Sequence, residues 1–64
     1  MNPELARREV ERKLKGEKWY RSVEFGDHKG KLVIVVYRTD GSEPLNKIGD
    51  WNVKYVTIVE FESD

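Results

Sequence analysis

The chain has a single histidine, His28, and histidine is a common general acid, general base and metal ligand, so it is the first residue to test for catalysis or metal binding. It stands between Asp27 and Lys29 in a segment bounded by Gly26 and Gly30. The chain has no second histidine and no cysteine, so carboxylates would have to supply all other ligands of a metal site. This pattern is typical of a solvated turn, and it predicts neither a metal site nor a cofactor.

Acidic side chains alternate at the C-terminal end, at Glu60, Glu62 and Asp64. Two carboxyl groups act as general acid and base when an apolar cleft holds them at a fixed separation and raises one of their pKa values. Alternation at a chain end supplies the spacing without the burial. We interpret these residues as an acidic, solubilising end and predict no catalytic pair.

The hydroxyl side chains provide no nucleophile, because the sequence places no base where it could activate one. They are Ser22, Thr39, Ser42, Thr57 and Ser63. The glycines match neither a Walker loop nor a dinucleotide-binding fingerprint. The sequence therefore predicts that the chain is not an enzyme.

Aromatic and basic residues lie close together in three segments, as they do in proteins that stack the bases of single-stranded nucleic acid. They are Lys18, Trp19, Tyr20, Arg21, Tyr37, Arg38, Trp51, Lys54 and Tyr55. The net charge is zero and the sequence pI is near 6.6, whereas nucleic-acid-binding domains usually carry a basic surplus. We expect the tryptophans to fill the core and predict no nucleic-acid partner.

The length of 64 residues indicates one α+β domain, spanning 1–64, with no room for a second core. The longest apolar run, 32–37, is far shorter than the roughly 20 residues that a membrane-spanning helix needs. The first residues are charged, unlike a signal peptide. We expect no membrane partner, no signal peptide, and a cytosolic location in an expression host.

Residues 3–15 carry the punctuation of an amphipathic helix. Asn2 is a good N-cap, Pro3 suits the first helical position, and Glu4 complements the positive end of the helix dipole. Gly16 is placed to end the helix in the left-handed conformation. The apolar stripe comprises Leu5, Ala6, Val10 and Leu14. Such a helix needs a sheet on which to pack.

Three later segments, about 18–25, 31–39 and 51–62, are rich in β-branched and aromatic residues and predict strands. The predicted order is α-β-β-β, with the helix on one face of a three-stranded antiparallel sheet. We expect a bulge in the long third strand, because its apolar residues change side near Tyr55 and Val56. The predicted core comprises Leu5, Val10, Leu14, Trp19, Val23, Phe25, Leu32, Ile34, Val36, Val53, Val59 and Phe61.

The segment 40–50 is longer than a compact hairpin connection, and we expect Leu45 and Ile48 to fold back from it onto the core. One helix covers only one face of a sheet, yet the strand at 31–39 is apolar on both sides. The open face would expose Val33, Val35, Tyr37, Val56 and Ile58. Either neighbouring side chains shield these residues, or the face forms a weak homodimer. No other partner is required.

The segment NPELARREVERKLKG, residues 2–16, resembles the idealised helices of computationally designed proteins, with its cap, regular apolar stripe and closely spaced charges. The predicted architecture is similar to designed mini-proteins in which a helix packs on a curved antiparallel sheet. The resemblance implies a de novo protein without natural biochemical function, made to test rules of folding and sheet curvature. The alternative is a small binding or self-association module that uses the open face or the 40–50 loop.

Overall fold

The computed structural model describes residues 1–60, and within them the chain forms one helix packed on a sheet of four strands. The elements are α1 (Pro3–Leu14), β1 (Tyr20–His28), β2 (Lys31–Arg38), β3 (Lys47–Ile48) and β4 (Trp51–Thr57). The predicted α+β class is confirmed. The predicted number of strands is wrong, because a short strand lies inside the segment that was expected to be a loop.

Helix α1 begins as the sequence predicts. The backbone of Asn2 is extended, and its Oδ1 accepts a hydrogen bond of 2.8 Å from the Leu5 N–H. This bond satisfies one of the N–H groups that a helix start leaves without a partner. The helix ends at Leu14, one residue before the predicted end, and Lys15 is its C-cap. The glycines with positive φ in the described chain are Gly30 and Gly49. The prediction that Gly16 adopts the left-handed conformation is therefore wrong.

The sheet is mixed, with the strand order β1-β2-β4-β3. Strands β1 and β2 form an antiparallel hairpin, β2 and β4 run parallel, and β3 pairs antiparallel with β4. The prediction of three antiparallel strands is therefore wrong. A parallel pair needs a connection of roughly a dozen residues or more, and residues 39–50 have that length. They bring the chain back to the end of the sheet at which β2 begins, so that β4 runs in the same direction as β2.

The β1–β2 hairpin turns at Lys29 and Gly30, a tighter turn than the predicted loop at 26–30. His28 is paired with Lys31, so the turn has two central residues, and both have positive φ, 55° at Lys29 and 78° at Gly30. This is the pattern of a type I′ turn, whose twist matches that of the flanking strands. The first strand therefore extends to 28, beyond its predicted end at 25.

A bulge lies in the first strand, and the β2–β4 register is regular from Val53 to Thr57. The β1–β2 register shifts between Tyr20 and Ser22, which leaves Arg21 as the extra residue. Strand β4 ends at Thr57, so the predicted third strand is too long at 58–60. Its last predicted residues, 61–62, lie outside the described chain.

The core lies between α1 and one face of the sheet. It comprises Ala6, Val10, Leu14, Val23, Ile34, Val36, Ile48 and Val53. Half of the predicted core is confirmed here, at Val10, Leu14, Val23, Ile34, Val36 and Val53. Both predicted anchors are also confirmed, since Ile48 is buried and Leu45 packs against the core.

Four predicted core residues are exposed instead: Leu5, Phe25, Leu32 and Val59. Phe25 and Leu32 lie near the hairpin turn. The Arg7 guanidinium lies over the Phe25 ring, 5.9 Å from its centre. Val59 follows the end of β4 and is 76% exposed. Trp19 is only half-buried against the core, and the predicted core residue Phe61 lies outside the described chain.

Candidate functional site

His28 lies at the exposed end of β1, in the pair next to the hairpin turn. Asp27 uses its carboxylate locally, since Asp27 Oδ1 accepts a hydrogen bond of 2.9 Å from the Gly30 N–H. Within residues 1–60, no group of three or more histidine, aspartate or glutamate side chains is placed to hold a metal ion. Asp27 therefore stabilises the hairpin turn, and His28 belongs to the last strand pair before it.

Glu60 is held by Arg21, the extra residue of the β1 bulge. The guanidinium donates from Nε and Nη2 to the two carboxylate oxygens, at 2.8 and 2.7 Å. This hydrogen bonding lowers the pKa of Glu60. The same guanidinium donates to the backbone carbonyls of Lys18 and Tyr20. Glu60 therefore fastens the chain after β4 to the bulge, whereas Glu62 and Asp64 lie outside the described residues.

The sheet divides the aromatic and basic residues between its two faces. Trp19 and Tyr55 meet edge to face on the helix side, with ring centres 6.5 Å apart. Tyr20 and Trp51 also pack against the core, and the Trp51 Nε1 donates to the Met1 carbonyl at 2.8 Å. Tyr37 lies on the opposite face, because it alternates with the core residue Val36. The set does not form one continuous aromatic surface.

Arg38 joins the end of β2 to the segment that crosses the sheet. Its Nε donates to Thr57 Oγ1 at 2.9 Å, and its Nη1 donates to the Ser42 carbonyl at 2.7 Å. The same guanidinium pairs with Glu43 at 3.2 Å and stacks 5.0 Å from the centre of the Tyr55 ring. Its side chain is only 13% exposed, so these contacts fix the start of the crossover.

Tyr55 fixes the crossover further along. Its hydroxyl donates to the Leu45 carbonyl at 2.9 Å and accepts from the Leu45 N–H at 3.0 Å. One side chain therefore satisfies both backbone groups of a residue outside any strand. Burial raises the pKa of Tyr55. In the sequence, the expected return of Leu45 and Ile48 to the core is the sign that this segment comes back to the sheet.

A groove of about 550 Å³ opens between the C-terminal end of α1 and the crossover. It is lined by Lys13, Leu14, Glu17, Trp19, Ser42, Glu43, Pro44 and Leu45. The volume is within the range of small-molecule sites, and its apolar side chains would favour an apolar group. Its rim carries both Lys13 and the acids Glu17 and Glu43. The groove therefore has no single charge sign that would select an anionic or a cationic ligand.

The open face of the sheet, on the side away from α1, is partly shielded by its own residues. Val33 is 4% exposed and lies outside the core cluster. It and Val35 reach over Gly26, where an added Cβ would lie 2.5 Å from Val35 Cγ2. Val35 and Tyr37 are half-buried, as is Ile58, which follows β4. Val56 is the one member of the predicted exposed set that is exposed, at 43%.

Charged residues flank Val35 in register. Glu24 is paired with Val35 across the antiparallel β1–β2 ladder, and Lys54 is paired with Val35 across the parallel β2–β4 ladder. The next row joins Ser22, Tyr37 and Val56 in the same way. The open face is therefore an apolar stripe along β2, with one acidic residue, Glu24, beside it on β1 and one basic residue, Lys54, beside it on β4.

No protein-family model, curated protein or solved structure matches this chain. The one helix of the described residues is too short and too polar to cross a membrane.

Proposed function

We propose that this chain is a de novo designed protein with no natural biochemical function, made as a test of folding and sheet-curvature rules. The observation that carries the proposal is the agreement of the N-cap, the first and last turns and the buried stripe of α1 with those of an idealised helix. Asn2 caps it, Pro3 occupies its first turn, and Glu4 lies at the positive end of the dipole. Basic residues occupy the last turn, and Ala6, Val10 and Leu14 form its single buried stripe.

The composition of the core supports the same proposal. Every fully buried residue among 1–60 is apolar, and no buried side-chain nitrogen or oxygen in that part of the chain lacks a hydrogen-bond partner. These are the properties for which a designed core is selected. The polar groups instead lie on the surface, where Glu4 pairs with Arg7 at 2.7 Å and with Arg8 at 3.5 Å. We propose no catalytic step and no cofactor.

Unfolding of the purified chain in the absence of any ligand or partner tests this proposal. A self-contained design is expected to unfold in one cooperative and reversible transition when followed by circular dichroism and by tryptophan fluorescence. Coincident transitions at low micromolar concentration would support it. A chain that is unstructured alone, and that acquires structure only when another molecule is added, would contradict it.

The second candidate function is a self-association module, and the opposite charges of Glu24 and Lys54 on the two sides of the apolar stripe favour it. An apolar stripe with one acid on one side and one base on the other is suited to a partner with the same pattern reversed. Light scattering over a wide concentration range tests this function. A mass that rises above 7.6 kDa towards twice that value supports it, and a constant 7.6 kDa at millimolar concentration contradicts it.

A further inference from the structure

The row formed by Glu24, Val35 and Lys54 places opposite charges on the two sides of one valine. Neighbouring strands lie about 4.8 Å apart, so the two charged residues start about 10 Å apart along the sheet. Both are exposed, and within residues 1–60 neither takes part in an ion pair. The row is therefore a short electrostatic dipole that lies across the open face.

Two copies of a face can meet about a two-fold axis that lies between the sheets, and the direction of the axis decides which residues meet. An axis parallel to β2 exchanges the β1 side of one copy with the β4 side of the other. Glu24 then faces the partner's Lys54, and Lys54 faces the partner's Glu24. Val35 faces the partner's Val35. An axis perpendicular to the strands would bring like charges together, which is unfavourable.

We infer that the open face binds a second copy of this chain in the first of these orientations, with the two β2 strands pointing the same way. Glu24 of each copy then pairs with Lys54 of the other. This inference deepens the second candidate function and rests on it, because the orientation has meaning only if the face self-associates.

The neighbouring row fits the same orientation. Ser22, Tyr37 and Val56 lie across the sheet in register, so the axis along β2 brings the small Ser22 opposite the exposed Val56 of the partner. The two Tyr37 rings approach each other at the axis. Packed sheets lie about 10 Å apart, a distance that the facing glutamate and lysine side chains can span together. Because most of the stripe is already half-buried in the monomer, the dimer is weak.

Charge reversal at both ends of the row tests the orientation. The full chain and the variants Glu24→Lys, Lys54→Glu and Glu24→Lys/Lys54→Glu are compared by sedimentation equilibrium from micromolar to millimolar concentration. Each single reversal converts two attractive contacts of the dimer into two repulsive ones, so the dissociation constant should rise about tenfold or more. The double reversal restores both contacts and should return the constant to within about threefold of the original.

Matched controls separate this effect from net charge and from folding. Glu11→Lys and Lys18→Glu make the same changes in charge away from the open face, and they should leave the dissociation constant almost unchanged. Circular dichroism of every variant establishes that it is folded. If only the single reversals at the row weaken the dimer and the double variant recovers, the orientation holds.

Two results would overturn the inference in different ways. A dimer whose constant is unaffected by the single reversals, or is not recovered in the double variant, would refute the orientation and leave self-association standing. A folded chain that stays monomeric at millimolar concentration would refute both the orientation and the second candidate function. Neither result bears on whether the chain folds alone.

Discussion

Lys29 has a backbone φ of 55°, in the left-handed region that non-glycine residues seldom adopt. Together with Gly30 it forms the two-residue turn of the β1–β2 hairpin, in which both central positions require positive φ. The conformation costs a lysine about 1–2 kcal/mol, whereas asparagine adopts it more readily. Lys29 is therefore a position where another residue type would suit the backbone conformation better.

Replacing Lys29 by Asn should stabilise the protein. We expect the free energy of unfolding to rise by up to about 1 kcal/mol, because asparagine followed by glycine is a preferred type I′ pair. Urea unfolding measures the change. Lys31→Asn, at the first residue of β2, is the control and should give no gain. Equal stabilisation by both variants would show that the turn conformation is not the cause.

The Tyr55 hydroxyl should contribute measurably to the free energy of unfolding. Tyr55→Phe removes both hydrogen bonds to Leu45, so we expect a loss of about 1–2 kcal/mol in urea unfolding. Tyr37→Phe is the matched control on the open face, where no hydrogen bond from the hydroxyl is found within the described chain, and it should change stability little. A loss of equal size in both variants would contradict the role assigned to the crossover contact.

The same hydroxyl predicts a pH dependence. Burial raises the pKa of Tyr55 in the folded state above its ordinary value of 10.0. As the pH rises past that value, the unfolded tyrosine loses its proton first, so the unfolded state gains stability. The wild type should therefore lose stability more steeply than Tyr55→Phe above about pH 10, and the two slopes should coincide below it. Parallel alkaline slopes, measured by urea unfolding at each pH, would contradict this expectation.

At the scale of elements, the sequence predicts α1 almost completely and β2 nearly to the residue. Local rules suffice there, because capping, period and β-branched content all act within one element. The pairing direction of β2 and β4 is not local. It depends on the path of residues 39–50, and that path is fixed by side chains from elsewhere, Arg38 at its start and Tyr55 from the last strand.

The sequence predicts which residues of β2 lie on the open face, but it does not predict which residues of the neighbouring strands lie beside them. The two-sided apolar character of β2 indicates that Val33, Val35 and Tyr37 share a face, and alternation places them there. The row that joins Glu24 to Lys54 requires two registers, one of them across strands far apart in the chain. The groove beside Trp19 is not predicted, because one of its walls is the crossover, whose path depends on contacts with Arg38 and Tyr55.

Two leucines of α1 that the sequence places in the core differ in their exposure. Leu14 is 4% exposed and Leu5 is 51% exposed. Leu14→Ala should reduce the free energy of unfolding by about 2–5 kcal/mol, because it leaves a cavity in the core. Leu5→Ala on the same helix should cost less than about 1 kcal/mol. Thermal or urea unfolding distinguishes them, and equal losses would show that α1 is rotated relative to the packing described above.

At the scale of the whole molecule, one feature governs the rest, namely the parallel pairing of β2 with β4. It places Lys54 beside Val35 and so creates the charged row of the open face. It also requires the crossover that forms one wall of the groove and carries Leu45 to Tyr55. An antiparallel third strand, as the sequence alone suggested, would remove both surfaces in their present form.

Nuclear Overhauser contacts between the backbone protons of β2 and β4 test this pairing most directly. The parallel register predicts contacts in which the residue numbers rise together, from Ile34 with Val53 to Val36 with Tyr55 and Arg38 with Thr57. Contacts in which one number rises as the other falls would indicate an antiparallel pair. That result would contradict the fold, the charged row and the dimer orientation together.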